Sequence, residues 1–86
     1  MSGPLDDLRR QITANDRVIV AAVNERLLLV SKLWALKRAL GTDQLDPVRE
    51  RELRAELAAA NTGPLSADGL DRLVFELLAL TKSELA

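Results

Sequence analysis

Residues 5–40, LDDLRRQITANDRVIVAAVNERLLLVSKLWALKRAL, run without an internal glycine or proline. Pro4 stands just ahead of this stretch, Asp6 and Asp7 lie at its start, and Gly41 follows it. A proline before the first turn, acids at the positive end of the dipole and a glycine at the stop are the marks of one helix. At 1.5 Å per residue such a helix is ~54 Å long. The segment Val18–Val23 is apolar enough to pass for a buried strand. The apolar residues on both sides of it, Ile12, Ile19, Val23, Val30, Leu33 and Leu40, recur at helical spacing and favour the helix.

Two shorter helices follow. Asp46 is an N-cap residue, Pro47 suits the first helical position, Glu50 falls in the first turn, and Asn61-Thr62-Gly63-Pro64 is a stop. Ser66 caps a third helix that carries Leu70, Leu73, Val74, Leu77 and Leu80 toward the core. The reading is an all-α chain with helices over roughly 5–40, 46–60 and 66–84. They form a single domain spanning 1–86, with no internal repeat or low-complexity segment.

A ~54 Å rod does not fit a monomer of this length, whose radius of gyration should be about 12 Å. Two short helices cannot cover all of it. The economical solution is an intertwined homodimer in which two long helices pair and each chain covers the other. The alternative is a break near Asn24 that yields a four-helix monomer, since periodic segments beyond 25 residues are unusual.

Composition narrows the chemistry. The 86 residues include no Cys and no His, which removes disulfides, thiolate nucleophiles, Cys/His zinc sites and histidine bases together. No metal and no cofactor is expected. Twelve basic and thirteen acidic residues leave a net charge of −1, and Trp34 and Phe75 are the sole aromatics. That is neither a basic surface nor a set of stacking platforms for nucleic acid. The most apolar stretch, Val18–Leu36, is interrupted by Asn24, Glu25, Arg26 and Lys32 and cannot span a bilayer. No secretory signal is visible at the N-terminus, so a cytoplasmic location is the default expectation.

Arg26 and Lys37 are eleven residues apart, about three turns with a drift of only ~20°, so they share a face of the long helix. That face is otherwise apolar. Long cations on a core-facing stripe need an anion between them, because burying them unpaired is costly. The two are ~16 Å apart along the axis and each side chain reaches about 6–7 Å, so both can bend toward one small anionic ligand. Pairing with acids of a neighbouring helix is the plainer explanation for either cation alone. Arg9 lies ~25 Å upstream and ~100° round the helix, out of reach of the same pocket within one chain. It is either a solvated first-turn arginine or, in an antiparallel helix pair, a neighbour of the partner's Arg26. Arg49 sits at the positive end of its helix, an unfavourable place for a cation, which points to an anion nearby. Thr81 and Glu84 end the apolar face of the third helix; they line a site or mark a solvated terminus.

These residues, in this order, resemble the all-helical class of chorismate mutases. The likeness runs through Leu8-Arg9-x-x-Ile12-x-x-x-Asp16, Asn24-Glu25-Arg26, Leu36-Lys37 and Asp46-Pro47-x-Arg49-Glu50-x-Glu52. It continues through Gly63-Pro64-Leu65 and Leu78-x-Leu80-Thr81-Lys82, so nearly the whole chain is covered. The resemblance implies an intertwined homodimer of three-helix chains, with two sites built from both subunits. It also implies an isomerase that converts chorismate to prephenate in aromatic amino-acid biosynthesis. By the same resemblance, Arg26 and the partner's Arg9 bind the two carboxylates of the dianionic substrate, and Lys37 donates to the ether oxygen as the carbon–oxygen bond breaks. Glu50 holds the ring hydroxyl, while Asp46 and Arg49 shape the wall from the second helix. Thr81 falls where the family often has a small hydroxyl residue. Where the family commonly has a glutamine, a gap-free alignment places Leu85; Glu84, one residue away, is the other candidate for that wall.

The lack of His and Cys suits this reading, since a pericyclic rearrangement needs a preorganised cradle and well-placed cations rather than a nucleophile or base. Two alternatives share the scaffold. One is a lyase releasing pyruvate from isochorismate, which the carboxylate of Glu50 fits less well. The other is a weakly active or non-catalytic helical dimer acting with another shikimate-pathway enzyme.

Overall fold

Each helix ends where its punctuation puts it. The computed structural model describes residues 3–42 and 46–86. Residues 1, 2 and 43–45 of the expected 1–86 domain lie outside the described residues. Three helices and no strand are found among those described: α1 (Pro4–Leu40), α2 (Pro47–Ala60) and α3 (Ala67–Leu85).

α1 is a continuous helix of 37 residues, with no break at Asn24. Pro4 occupies its first turn, and the Gly3 carbonyl accepts the N–H of Asp7 at 3.0 Å. At the other end Gly41 adopts φ 70°, the left-handed conformation that a side chain disfavours. This turn lets the N–H groups of Gly41 and Thr42 fold back onto the carbonyls of Arg38 and Lys37. The two bonds form a Schellman stop that satisfies carbonyls otherwise left bare at a helix end.

α2 begins at Asp46, whose Oδ1 accepts the N–H of Arg49 at 3.1 Å, and it stops at Asn61. The Asn61 amide then donates to the Leu65 carbonyl at 2.9 Å, which shapes the turn into α3. Ser66 Oγ caps α3 by accepting the N–H of Gly69 at 3.0 Å.

α3 is the joint of the fold. It packs against α1 and against α2, while among the described residues no Cα of α1 lies within 8 Å of one in α2. Among the described residues the buried apolar core consists of Leu70 and Val74, 8% and 2% exposed, with Thr81 buried on the same face of α3. The expected core face of α3 is narrower than its sequence pattern. Leu77 is half-buried, but Leu73 and Leu80 are exposed, because the buried line runs 70, 74, 81 and theirs lies beside it.

No residue of α1 is buried. Val23 and Val30 are half-covered, whereas Ile12, Ile19, Leu33 and Leu40 on the same stripe stay exposed. The molecule extends 59 Å along its longest axis, with a radius of gyration of 16.7 Å. No helix among the described residues is long and apolar enough to cross a membrane.

Candidate active site

α3 packs against both α1 and α2, and a pocket opens where the three helices meet. This pocket has a volume of about 280 Å³. α1 contributes Arg26, Val30, Leu33, Trp34 and Lys37 to its walls. The start of α2 adds Asp46, Arg49, Glu50 and Leu53, and the end of α3 adds Leu78, Thr81 and Lys82. Arg26 and Lys37 therefore do face one cavity, as three helical turns of separation require.

The polar lining is unbalanced. Among the described residues, Arg26, Lys37, Arg49 and Lys82 outnumber Asp46 and Glu50 in the lining. Glu52 and Glu56, outside the lining, draw on Arg49 at 4.0 and 3.7 Å. They are the anions that the placement of this arginine at a helix start called for. The pocket also lies at the N-terminal end of α2, where the positive end of the helix dipole favours an anion. Val30, Leu33, Trp34, Leu53 and Leu78 supply an apolar remainder that shields polar contacts from water.

Three of the lining residues, Lys37, Arg26 and Thr81, are held by the backbone or by each other. The Lys37 carbonyl accepts the Thr42 N–H at 2.9 Å, so the stop of α1 is built on a residue of the pocket. Arg26 Nη1 donates to Thr81 Oγ1 at 2.5 Å, and that hydroxyl donates to the Leu77 carbonyl at 2.7 Å. The first of these bonds ties α1 to α3 across 55 positions of sequence.

The family profile described as "Chorismate mutase type II" matches residues 8–84. The chain belongs to the chorismate mutase type II family. Among solved structures, it is similar to the chorismate mutase of Thermus thermophilus in form II, with 30% identity and a TM-score of 0.89. That match covers 94% of this chain and 92% of the other. Form I of the same enzyme gives 30% identity and a TM-score of 0.87, over 92% of this chain and 99% of the other. Comparison with curated proteins gives no match.

Within this type II chain, six of the eight residues singled out from sequence line one pocket: Arg26, Lys37, Asp46, Arg49, Glu50 and Thr81. Arg9 lies apart from it. It borders a surface groove with Arg10, Thr13 and Arg17 and faces Asp6 at 3.6 Å. Glu84 is exposed and outside the lining. Leu85 lines a separate groove with Asn24, Leu27, Leu28 and Ser31 of α1.

Sequence reasoning passed over Lys82 and Trp34 as pocket residues. Trp34 sits two turns beyond Leu27 and one turn before Lys37, a spacing that places it near the cationic face. Lys82 directly follows Thr81, and a long side chain there reaches round the helix to the same cavity.

Proposed function

We propose that this chain is a chorismate mutase acting as a homodimer, each chain forming one three-helix domain, on the pathway to aromatic amino acids in the cytoplasm. The observation that carries the reading is the pocket that brings Arg26 and Lys37 to one cavity of a size suited to a small anionic substrate. The family match across residues 8–84 supplies the reaction.

The rearrangement breaks the ether carbon–oxygen bond and forms a carbon–carbon bond in one cyclic shift of electron pairs. No proton has to be removed, so the protein contributes geometry and charge. Arg26 binds one carboxylate with the N–H groups not given to Thr81. Lys37 donates to the ether oxygen, where negative charge grows as the bond lengthens, and so binds the transition state more strongly than the substrate. Glu50 accepts the ring hydroxyl, and Asp46 and Arg49 form the wall behind it. Glu84 has no part in this arrangement.

The second carboxylate requires the partner subunit's Arg9, and the exposed surface supports a partner. A compact monomer of 9.4 kDa should expose about 5,000 Å², whereas this chain exposes 7000 Å². Leu5, Leu8, Ile12, Val18, Ile19 and Val20 account for part of that excess, all on the half of α1 that α3 leaves bare. A surplus of about 2,000 Å² is of the size that obligate homodimer interfaces bury.

The test is to follow chorismate and prephenate by ultraviolet absorbance on adding purified protein, with pyruvate measured in parallel. Loss of chorismate with matching prephenate is the expected result. Pyruvate without prephenate would overturn the reaction, and a monomeric mass in solution would overturn the assembly.

A further inference from the structure

Trp34 is the one aromatic side chain in the described pocket wall, and it is only half-buried there. An indole carries a single N–H that donates and cannot accept, and a tryptophan taken into a protein usually gives it a partner. Among the described residues, the indole N–H of Trp34 has no hydrogen-bond partner. No buried polar side-chain atom of those residues lacks one, so this N–H lies where solvent or a ligand reaches it. A wall that only had to exclude water could use a phenylalanine, with no donor to satisfy.

The position of Trp34 says what the donor is for. It precedes Lys37 by three residues, and side chains so spaced are neighbours on a helix surface, about 5–6 Å apart at Cβ. The other uncharged side-chain donor in the described lining, Thr81, is bonded to Arg26, which takes a carboxylate in the arrangement above. Glu84 and Leu85 stay outside the lining, so the end of α3 adds no neutral donor beyond Thr81.

An ether oxygen has two lone pairs and gains negative charge as its bond to carbon breaks. Lys37 meets one of those lone pairs. We propose that Trp34 is a second catalytic donor: its indole N–H bonds to the ether oxygen beside the Lys37 ammonium and tightens as charge develops. The indole keeps its proton throughout, because the cyclic shift moves electron pairs alone. This inference rests on the mutase reading.

Trp34 is the sole tryptophan, so a tryptophan auxotroph fed benzothienylalanine exchanges this one N–H for a sulfur that cannot donate, at nearly unchanged shape. In that protein kcat should fall about ten- to a hundredfold, the range for a lost hydrogen bond to a charged group, with KM within about threefold of the parent. Trp34→Phe, which also lacks the N–H, should follow it. A parent-like kcat in the folded analogue protein would overturn the proposal. So would a loss confined to KM, because a donor to a carboxylate meets the same charge in ground and transition states.

A second readout does not depend on turnover. In Lys37→Met protein carrying ¹⁵N-labelled indole, the single indole proton signal should move downfield on adding chorismate, as the N–H gains an acceptor. No movement, or the upfield shift of ring stacking alone, would overturn the contact. A parent protein that forms prephenate while the analogue protein matches it would sink this inference and leave the mutase reading standing. A parent protein that leaves chorismate untouched, with the downfield shift present, would refute the mutase reading and the catalytic role while leaving the binding contact.

Discussion

The carbonyl of Lys37 accepts the backbone N–H of Thr42 at 2.9 Å, so the bond that terminates α1 also anchors a residue of the pocket. Helix termination and site construction are the same event at this point. Gly41 makes it possible through its φ of 70°.

Gly41→Ala should therefore affect both stability and activity. A Cβ at that φ costs about 1 kcal/mol, which for a domain of this size lowers the melting temperature by roughly 4–8 °C. A fall in kcat/KM should accompany it as the last turn loosens beneath Lys37. Thermal unfolding at fixed protein concentration, with kinetics on the same sample, checks both.

Lys37→Met should reduce kcat about a hundredfold or more, the scale of one lost donor to a developing oxyanion, with a smaller change in KM. The slow variant then permits a direct binding measurement. Trp34 is the single tryptophan and lines the pocket, so its fluorescence should change on adding chorismate to Lys37→Met protein. A flat emission signal up to millimolar chorismate would argue against binding there.

Arg9→Ala and Lys37→Met proteins should each be nearly inactive alone and recover activity when mixed. If every site takes Arg9 from one chain and Lys37 from the other, a mixed dimer has one intact site of its two. Random exchange of equal amounts then restores about a quarter of the parent activity. No recovery after mixing through a dissociating step would place both residues on one chain.

Lys82 and Glu84 separate by geometry. Lys82 adds a positive charge to the lining and Glu84 lies outside it. Lys82→Gln should raise KM for a dianion several-fold, while Glu84→Gln should leave kcat/KM within about twofold, consistent with the small effect of an exposed charge. Steady-state kinetics at moderate salt distinguishes them.

The helices were legible in the sequence because their ends are chemically marked. Pro4, Gly41, Asp46, Asn61 and Ser66 each act within a turn of themselves, and the structure uses them as a local reading requires. The Arg26–Lys37 face was equally legible, since helical phase alone decides it. What escaped was tertiary. Leu73 and Leu80 fit the helical pattern, yet which stripe of α3 is covered depends on where α1 and α2 lie. The Thr81–Arg26 bond joins residues 55 apart and no local rule announces it. Lys82 was missed because a charged residue near a helix end usually extends into water, and only the position of α2 shows that this one borders a cavity.

The unbroken rod of α1 also sets what changes in length the chain can accept. A single residue inserted between Arg26 and Lys37 would turn one by ~100° relative to the other and carry Lys37 off the pocket wall. The same insertion ahead of Arg26 would leave the pocket whole but rotate the bare Ile12–Ile19 stripe away from whatever covers it. Steps of seven or eleven residues come close to restoring the angle, yet they lengthen the rod by about 10–16 Å. α1 thus behaves as a ruler with a fixed phase, on which substitutions are tolerated far more readily than a gain or loss of one position. Changes in length belong in the connections that follow α1 and α2.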